Sequence, residues 1–118
     1  MVTVLIADDA AFIRMRSASL VKELGHEVLE AANGAEAVAI YKRHRPDAVL
    51  LDITMPVMDG MEALKRIIEA DPAAKVAMVT AMGQQQIIMQ AIRAAAKDFV
   101  VKPFDIERIE SALWKLVH

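Results

Sequence analysis

The chain has 118 residues, enough to bury the core of one domain, and holds no cysteine, which excludes disulfide scaffolds, thiolate metal sites and cysteine nucleophiles. Hydrophobic residues make up 56% and charged ones 25%, which argues against disorder, and the apolar runs are too short and interrupted to span a bilayer. The net charge of -2 gives no general attraction to nucleic acid, and no signal-like stretch opens the sequence, so the expected setting is cytoplasmic, with neither nucleic acid nor membrane as a partner.

Val2 to Ala7 is a short apolar run that reads as a strand. From Phe12 to Leu24 the residues Ile13, Leu20, Val21 and Leu24 recur at helical spacing, and Gly25 stands where a helix would stop. Val28 to Ala31 reads as a second strand; Asn33-Gly34 then opens a helix with Val38 and Tyr41 on one side. Val49 to Leu51 is the third strand, followed by the turn-rich Met55-Pro56-Val57-Met58-Asp59-Gly60. Met61, Leu64, Ile67 and Ile68 form the face of a helix ending near Asp71-Pro72. Val76 to Val79 is the fourth strand, and Gln84 to Ala95 a helix with Ile88, Ala91, Ile92 and Ala95 on one stripe. Phe99 to Val101 is the fifth strand, and Ile106, Ile109, Leu113 and Leu116 mark a last helix. The basic clusters Arg14-Met15-Arg16 and Lys42-Arg43-His44-Arg45 read as solvated helix faces, with docking patches as the alternative.

Strands alternating with helices at this spacing call for βαβ units: an α/β fold, one domain over residues 1–118, with a parallel sheet covered on both faces. Parallel strands all point one way, so the residues that follow them collect at one edge, where such folds keep their ligand crevice. Asp8 and Asp9 follow the first strand, Asp52 the third, Thr80 the fourth and Lys102 the fifth. Gathered carboxylates repel unless a cation sits among them, and oxygen ligands without imidazole or thiolate favour Mg2+ over zinc. A carboxylate attacks phosphorus when positive charge neutralises the transferring group, which assigns Asp52 as phosphoacceptor, Lys102 as counter-charge and Thr80 as a hydrogen-bond donor to the arriving phosphoryl oxygen. Each residue alone has a plainer role: an Asp pair caps helices, a strand-end Thr packs, and a Lys before Pro is solvated. Their joint position at strand ends singles them out.

The motifs Leu5-Ile6-Ala7-Asp8-Asp9, Asp52 with Met55-Pro56 and Met58-Asp59-Gly60, Val79-Thr80-Ala81 and Val101-Lys102-Pro103-Phe104 resemble those of response-regulator receiver domains. The resemblance spans essentially the whole chain. It implies a doubly wound, flavodoxin-like (CheY-like) fold with five helices and strand order 2-1-3-4-5. It further implies that Asp9 binds Mg2+ (or Mn2+) directly, that Asp8 acts through metal-bound water, and that the Thr54 backbone carbonyl completes the shell beside Asp52. The Lys102-Pro103 bond is implied to be cis. Thr80 and Phe99 are implied to be the switch, which reshapes the face of the fourth helix, fifth strand and fifth helix for an output protein. The implied donor is a histidine kinase or another phosphohistidine or small phosphodonor, and the chemotaxis-like stretches point to a flagellar-motor component or related target. The chain is then a signalling switch and not an enzyme with an external substrate.

Three other readings compete. A phosphorelay intermediate would pass its phosphoryl group on to a histidine phosphotransfer protein. A metal-dependent phosphatase with an aspartyl nucleophile usually has a second Asp two residues on, where this chain has Thr54. A flavin carrier is disfavoured, because Asp8-Asp9 would repel the cofactor phosphate. Two departures from the family pattern stand out: Ala94-Ala95-Ala96 where relatives place a glycine, and the non-ionisable Thr54 and Met82 flanking the site. The second predicts slow self-dephosphorylation; an aspartyl-phosphate lifetime unmoved by Met82→Glu and Thr54→Asn contradicts it.

Overall fold

The apolar runs form strands β1 (Thr3–Ala7), β2 (Glu27–Ala31), β3 (Ala48–Asp52), β4 (Val76–Thr80) and β5 (Asp98–Val101). They alternate with helices α1 (Ala11–Glu23), α2 (Gly34–His44), α3 (Gly60–Ala70), α4 (Gln85–Arg93) and α5 (Ile106–Val117) in a computed structural model that describes residues 2–81 and 85–118. The strands pair in parallel in the order β2-β1-β3-β4-β5, as the resemblance implied. Asp52 and Thr80 are the last residues of β3 and β4 and not the first residues beyond them, so ladder pairing fixes both backbones. Gln84, the expected start of α4, and Met82 lie outside the described residues.

The two-residue period of each strand divides its side chains between two cores. Leu5, Val49, Leu51, Val76 and Met78 pack with Val38 and Tyr41 of α2 and Leu64 and Ile67 of α3. Val4, Ile6, Leu50, Ala77 and Val79 pack on the other side with Val21 of α1 and Ile109, Leu113 and Leu116 of α5. Burial on both faces is why the inner strands are apolar throughout instead of alternating.

Two helix faces differ from the sequence reading. On α1 the residues pressed into the core are Ser17, Ala18 and Val21, while Ile13 stands exposed; small side chains let the helix lie close to the sheet, and spacing of large apolar residues does not reveal that. On α4 Ile87 and Ala91 face inward, joined by Ala94 just past the helix, and Ile92 points to solvent. Across the α2/α3 contact the Tyr41 hydroxyl donates to Asp71 Oδ2 at 2.6 Å, and the Arg45 guanidinium lies 5.6 Å over the Tyr41 ring. Arg45 also pairs with Asp71 at 3.5 Å and donates to the Ala70 carbonyl, so it brackets α2 to the end of α3 as well as belonging to a basic cluster.

Helices α1 and α4 end in the same motif with different residues. After α1, Gly25 takes φ 91 while its N–H donates to Lys22 and that of His26 to Val21. After α4, Ala95 takes φ 76, its N–H donates to Ile92 and that of Ala96 to Ala91. Both are Schellman caps, whose left-handed position favours glycine. The left-handed conformation costs a residue with a Cβ about 1–2 kcal/mol, whereas a glycine there loses about 0.4–1 kcal/mol more chain entropy on folding. Ala95→Gly is therefore expected to stabilise the protein by about 0.5–1 kcal/mol and Gly25→Ala to destabilise it. Urea midpoints shifting in the same direction for both variants would contradict this account.

Candidate functional site

The parallel strands deliver their carboxyl ends to one edge of the sheet. Asp8, directly after β1, still donates its N–H to Ala31 of β2 at 3.1 Å, which holds its backbone in line with the strand. Its Oδ1 accepts from the Ala10 N–H at 2.9 Å, turning the chain into α1. Asp52 closes β3 opposite Val79. Lys102 follows β5; its N–H donates to the Thr80 carbonyl at 2.8 Å, and its bond to Pro103 is cis.

These backbones bring the five expected residues to one edge. The Lys102 ammonium lies 3.2 Å from Asp8 Oδ2 and 3.2 Å from Asp52 Oδ2, although the acids stand 94 and 50 residues away from it in sequence. Asp8, Asp9 and Asp52 each offer one carboxylate oxygen within 4.8 Å of the other two. Asp8 and Asp52 are buried, whereas Asp9 faces solvent. Thr80, 1% exposed, donates its hydroxyl to the Ala81 carbonyl at 3.1 Å. Thr54 lies two residues beyond Asp52 with an exposed side chain, and Phe99 is half-buried, paired across the sheet with Met78.

Burial pushes the Asp52 carboxyl above the usual aspartate range; Lys102 works against that and the neighbouring Asp8 with it. Burial works against the charge of Lys102 too, but its two carboxylate partners outweigh that and hold the ammonium above its ordinary pKa. One ammonium among three carboxylates leaves an excess of negative charge. The donor set is all hard oxygen, partly open through Asp9, and so fits Mg2+ or Mn2+ better than a softer metal.

The loop after Asp52 is held as tightly as the strand. The Gly60 N–H donates to the Ile53 carbonyl at 2.7 Å and the Gly34 N–H to the Met58 carbonyl at 2.9 Å. A Cβ on Gly60 would run into the Asp52 carbonyl, and one on Gly34 into the Met58 carbonyl. Between them the Met58 N–H reaches back to Pro56 at 2.7 Å around Val57, a β-branched residue at φ 68, a strained turn beside the site. Asp59 caps α3 by accepting from the Glu62 N–H. The sequence reading marked this stretch as a turn-rich loop but missed the close contacts that make Gly34 and Gly60 necessary.

The family model for the response regulator receiver domain matches residues 4–114. The chain is 52% identical to the chemotaxis protein CheY of Thermotoga maritima, over 96% of this chain and 95% of that one, and 51% identical to CheY of Bacillus subtilis, over 98% and 97%. Among solved structures it resembles the CheX-CheY-BeF3-Mg2+ complex from Borrelia burgdorferi, with a TM-score of 0.93 and 37% identity, covering 98% of this chain and 89% of that one.

The raised Asp52 pKa has a definite sign for stability. The folded state holds this proton to higher pH than the unfolded chain does, so the associated stability is fully present below the ordinary aspartate range and is lost as pH rises through the raised value. Metal-free Asp52→Asn is expected to have a higher urea midpoint than the parent at neutral pH, with the gap closing in acid. Equal midpoints at neutral pH would contradict burial as the dominant cause.

Proposed function

The chain belongs to the response-regulator receiver family, and from that premise we propose that it is a phosphorylation switch of a two-component system, acting as a single receiver domain over residues 1–118. The observation that carries the proposal is Lys102, shared at 3.2 Å between Asp8 and Asp52 at the rim of the acid cluster. An Asp52 carboxylate oxygen attacks the phosphorus of a phosphohistidine on a partner kinase. As the new O–P bond forms the P–N bond breaks, and the released imidazole takes up a proton. Asp8, Asp9 and Asp52, with the Thr54 carbonyl, would hold Mg2+ or Mn2+, which when bound supplies positive charge to the phosphoryl oxygens. Lys102 follows the developing negative charge, exchanging its contact with Asp52 for one to a phosphoryl oxygen. Thr80 turns its hydroxyl from the Ala81 carbonyl to another.

The readout follows from the same residues. Thr80 pairs in register with Val101 on β5, and Phe99 lies two residues earlier on that strand, so a reoriented Thr80 acts on the packing of Phe99 and on the face made by α4, β5 and α5. Phe99 has no hydroxyl and signals by packing alone. Likeness to chemotaxis proteins supports a cytoplasmic chemotaxis-type output through a flagellar-motor component or related protein. The catalysis is confined to the chain's own phosphorylation and slow dephosphorylation. Among the described residues no helix is long and apolar enough to cross a membrane.

Incubation with Mg2+ and a small phosphodonor is expected to add the mass of one phosphoryl group, and Asp52→Asn to abolish the addition. Lys102→Ala is expected to slow it by about a hundredfold, the usual loss when one charge-stabilising donor is removed. Full phosphorylation of Asp52→Asn would overturn the assignment.

A further inference from the structure

Arg14 sits one turn into α1, and its side chain folds back under the acid pair instead of reaching into solvent. One terminal nitrogen donates to the Asp8 carbonyl at 2.7 Å, and Nε lies 3.2 Å from Glu30 Oε1 on β2. The side chain is 20% exposed, so these contacts are only partly screened. Holding a carbonyl and a carboxylate at once suits a guanidinium, whose donors sit on separate nitrogens of a rigid plane. The Asp8 carbonyl belongs to the peptide plane that joins Asp8 to Asp9. The Ala10 N–H bond to Asp8 Oδ1 closes a turn through that same peptide, and Arg14 holds its carbonyl side, so together they set the relative placement of both acids, while the bonds to Ala31 and Lys102 fix only Asp8 itself.

We propose that Arg14 is a positioning residue for divalent-cation binding: through the Asp8 carbonyl, and anchored by Glu30, it sets the Asp8-Asp9 peptide so that both carboxylates face a shared ion. This rests on the reading of the acid cluster as a cation site. Electrostatics and positioning give opposite signs here. Arg14 is a positive charge near the cluster, so removing it would tighten cation binding if charge were its only influence. Losing the fixed peptide plane loosens it.

The test is calorimetric titration of the unphosphorylated protein with MgCl2, at a temperature where circular dichroism shows each variant folded. Arg14→Met is expected to bind Mg2+ about tenfold more weakly, as for other groups that orient metal ligands. Arg14→Lys, which keeps the charge and one donor but not the fork, is expected to lie between Met and the parent. A residue that only stabilises the fold leaves the affinity of the folded population unchanged, so this ranking separates positioning from structural support. Should Arg14→Met fail to fold, Arg14→Lys and Arg14→Gln carry the comparison. Equal or tighter binding by the substituted proteins would overturn the inference while leaving the cation site intact. A parent protein that takes up no Mg2+ would overturn the cation site, and the inference with it.

Discussion

Two buried acids share one ammonium, and much of the architecture serves that contact. Asp8 directly follows β1 and Asp52 ends the adjacent β3, so their mutual repulsion is built in, and Lys102 is the group that offsets it. Lys102 reaches them because β5 runs parallel to β4 and its backbone continues the ladder by one bond beyond the strand, to the Thr80 carbonyl. The residue that neutralises the acids is therefore tied through its main chain to the residue proposed to sense the phosphoryl group. Charge balance and the proposed signal share a two-strand frame.

A parallel sheet makes this economical. Every strand ends on the same side, and both faces are covered, so the interior can be apolar and polar chemistry is confined to the rim. The helices that cover the sheet do so with small residues where they come closest: Ser17 and Ala18 on α1, Ala63 on α3, Ala91 on α4, Ala112 on α5. The larger aliphatic residues fill the space between.

Much of this was legible in the sequence. The runs Val49-Leu50-Leu51 and Val76 to Val79 announce inner strands, because no solvated face forces a polar residue into them, and the acids and the lysine betray themselves by standing at the ends of such runs. Three things were hidden. The buried face of α1 depends on Ser17 and Ala18, small residues that leave a weak imprint on periodicity, and on α4 the expected Ala91 is joined inside by Ile87 and not by Ile92. Strand ends at Asp52 and Thr80 extend one residue past the apolar run, since main-chain pairing does not depend on side-chain polarity. Arg14 looked like one cation in a basic cluster; its partners are a backbone carbonyl and a residue of β2, and only the packing of α1 on the sheet brings them within reach.

Gly60 ties the site to α3 as a rigid coupling does two shafts. Its backbone lies against the main chain of the final residue of β3, with no side chain to act as a cushion. A displacement of the Asp52 main chain would press directly on the first turn of α3, which packs on the face of the sheet opposite α5. For the proposed switch this contact would offer a second route besides the proposed α4/β5/α5 face, one set by steric contact and independent of charge.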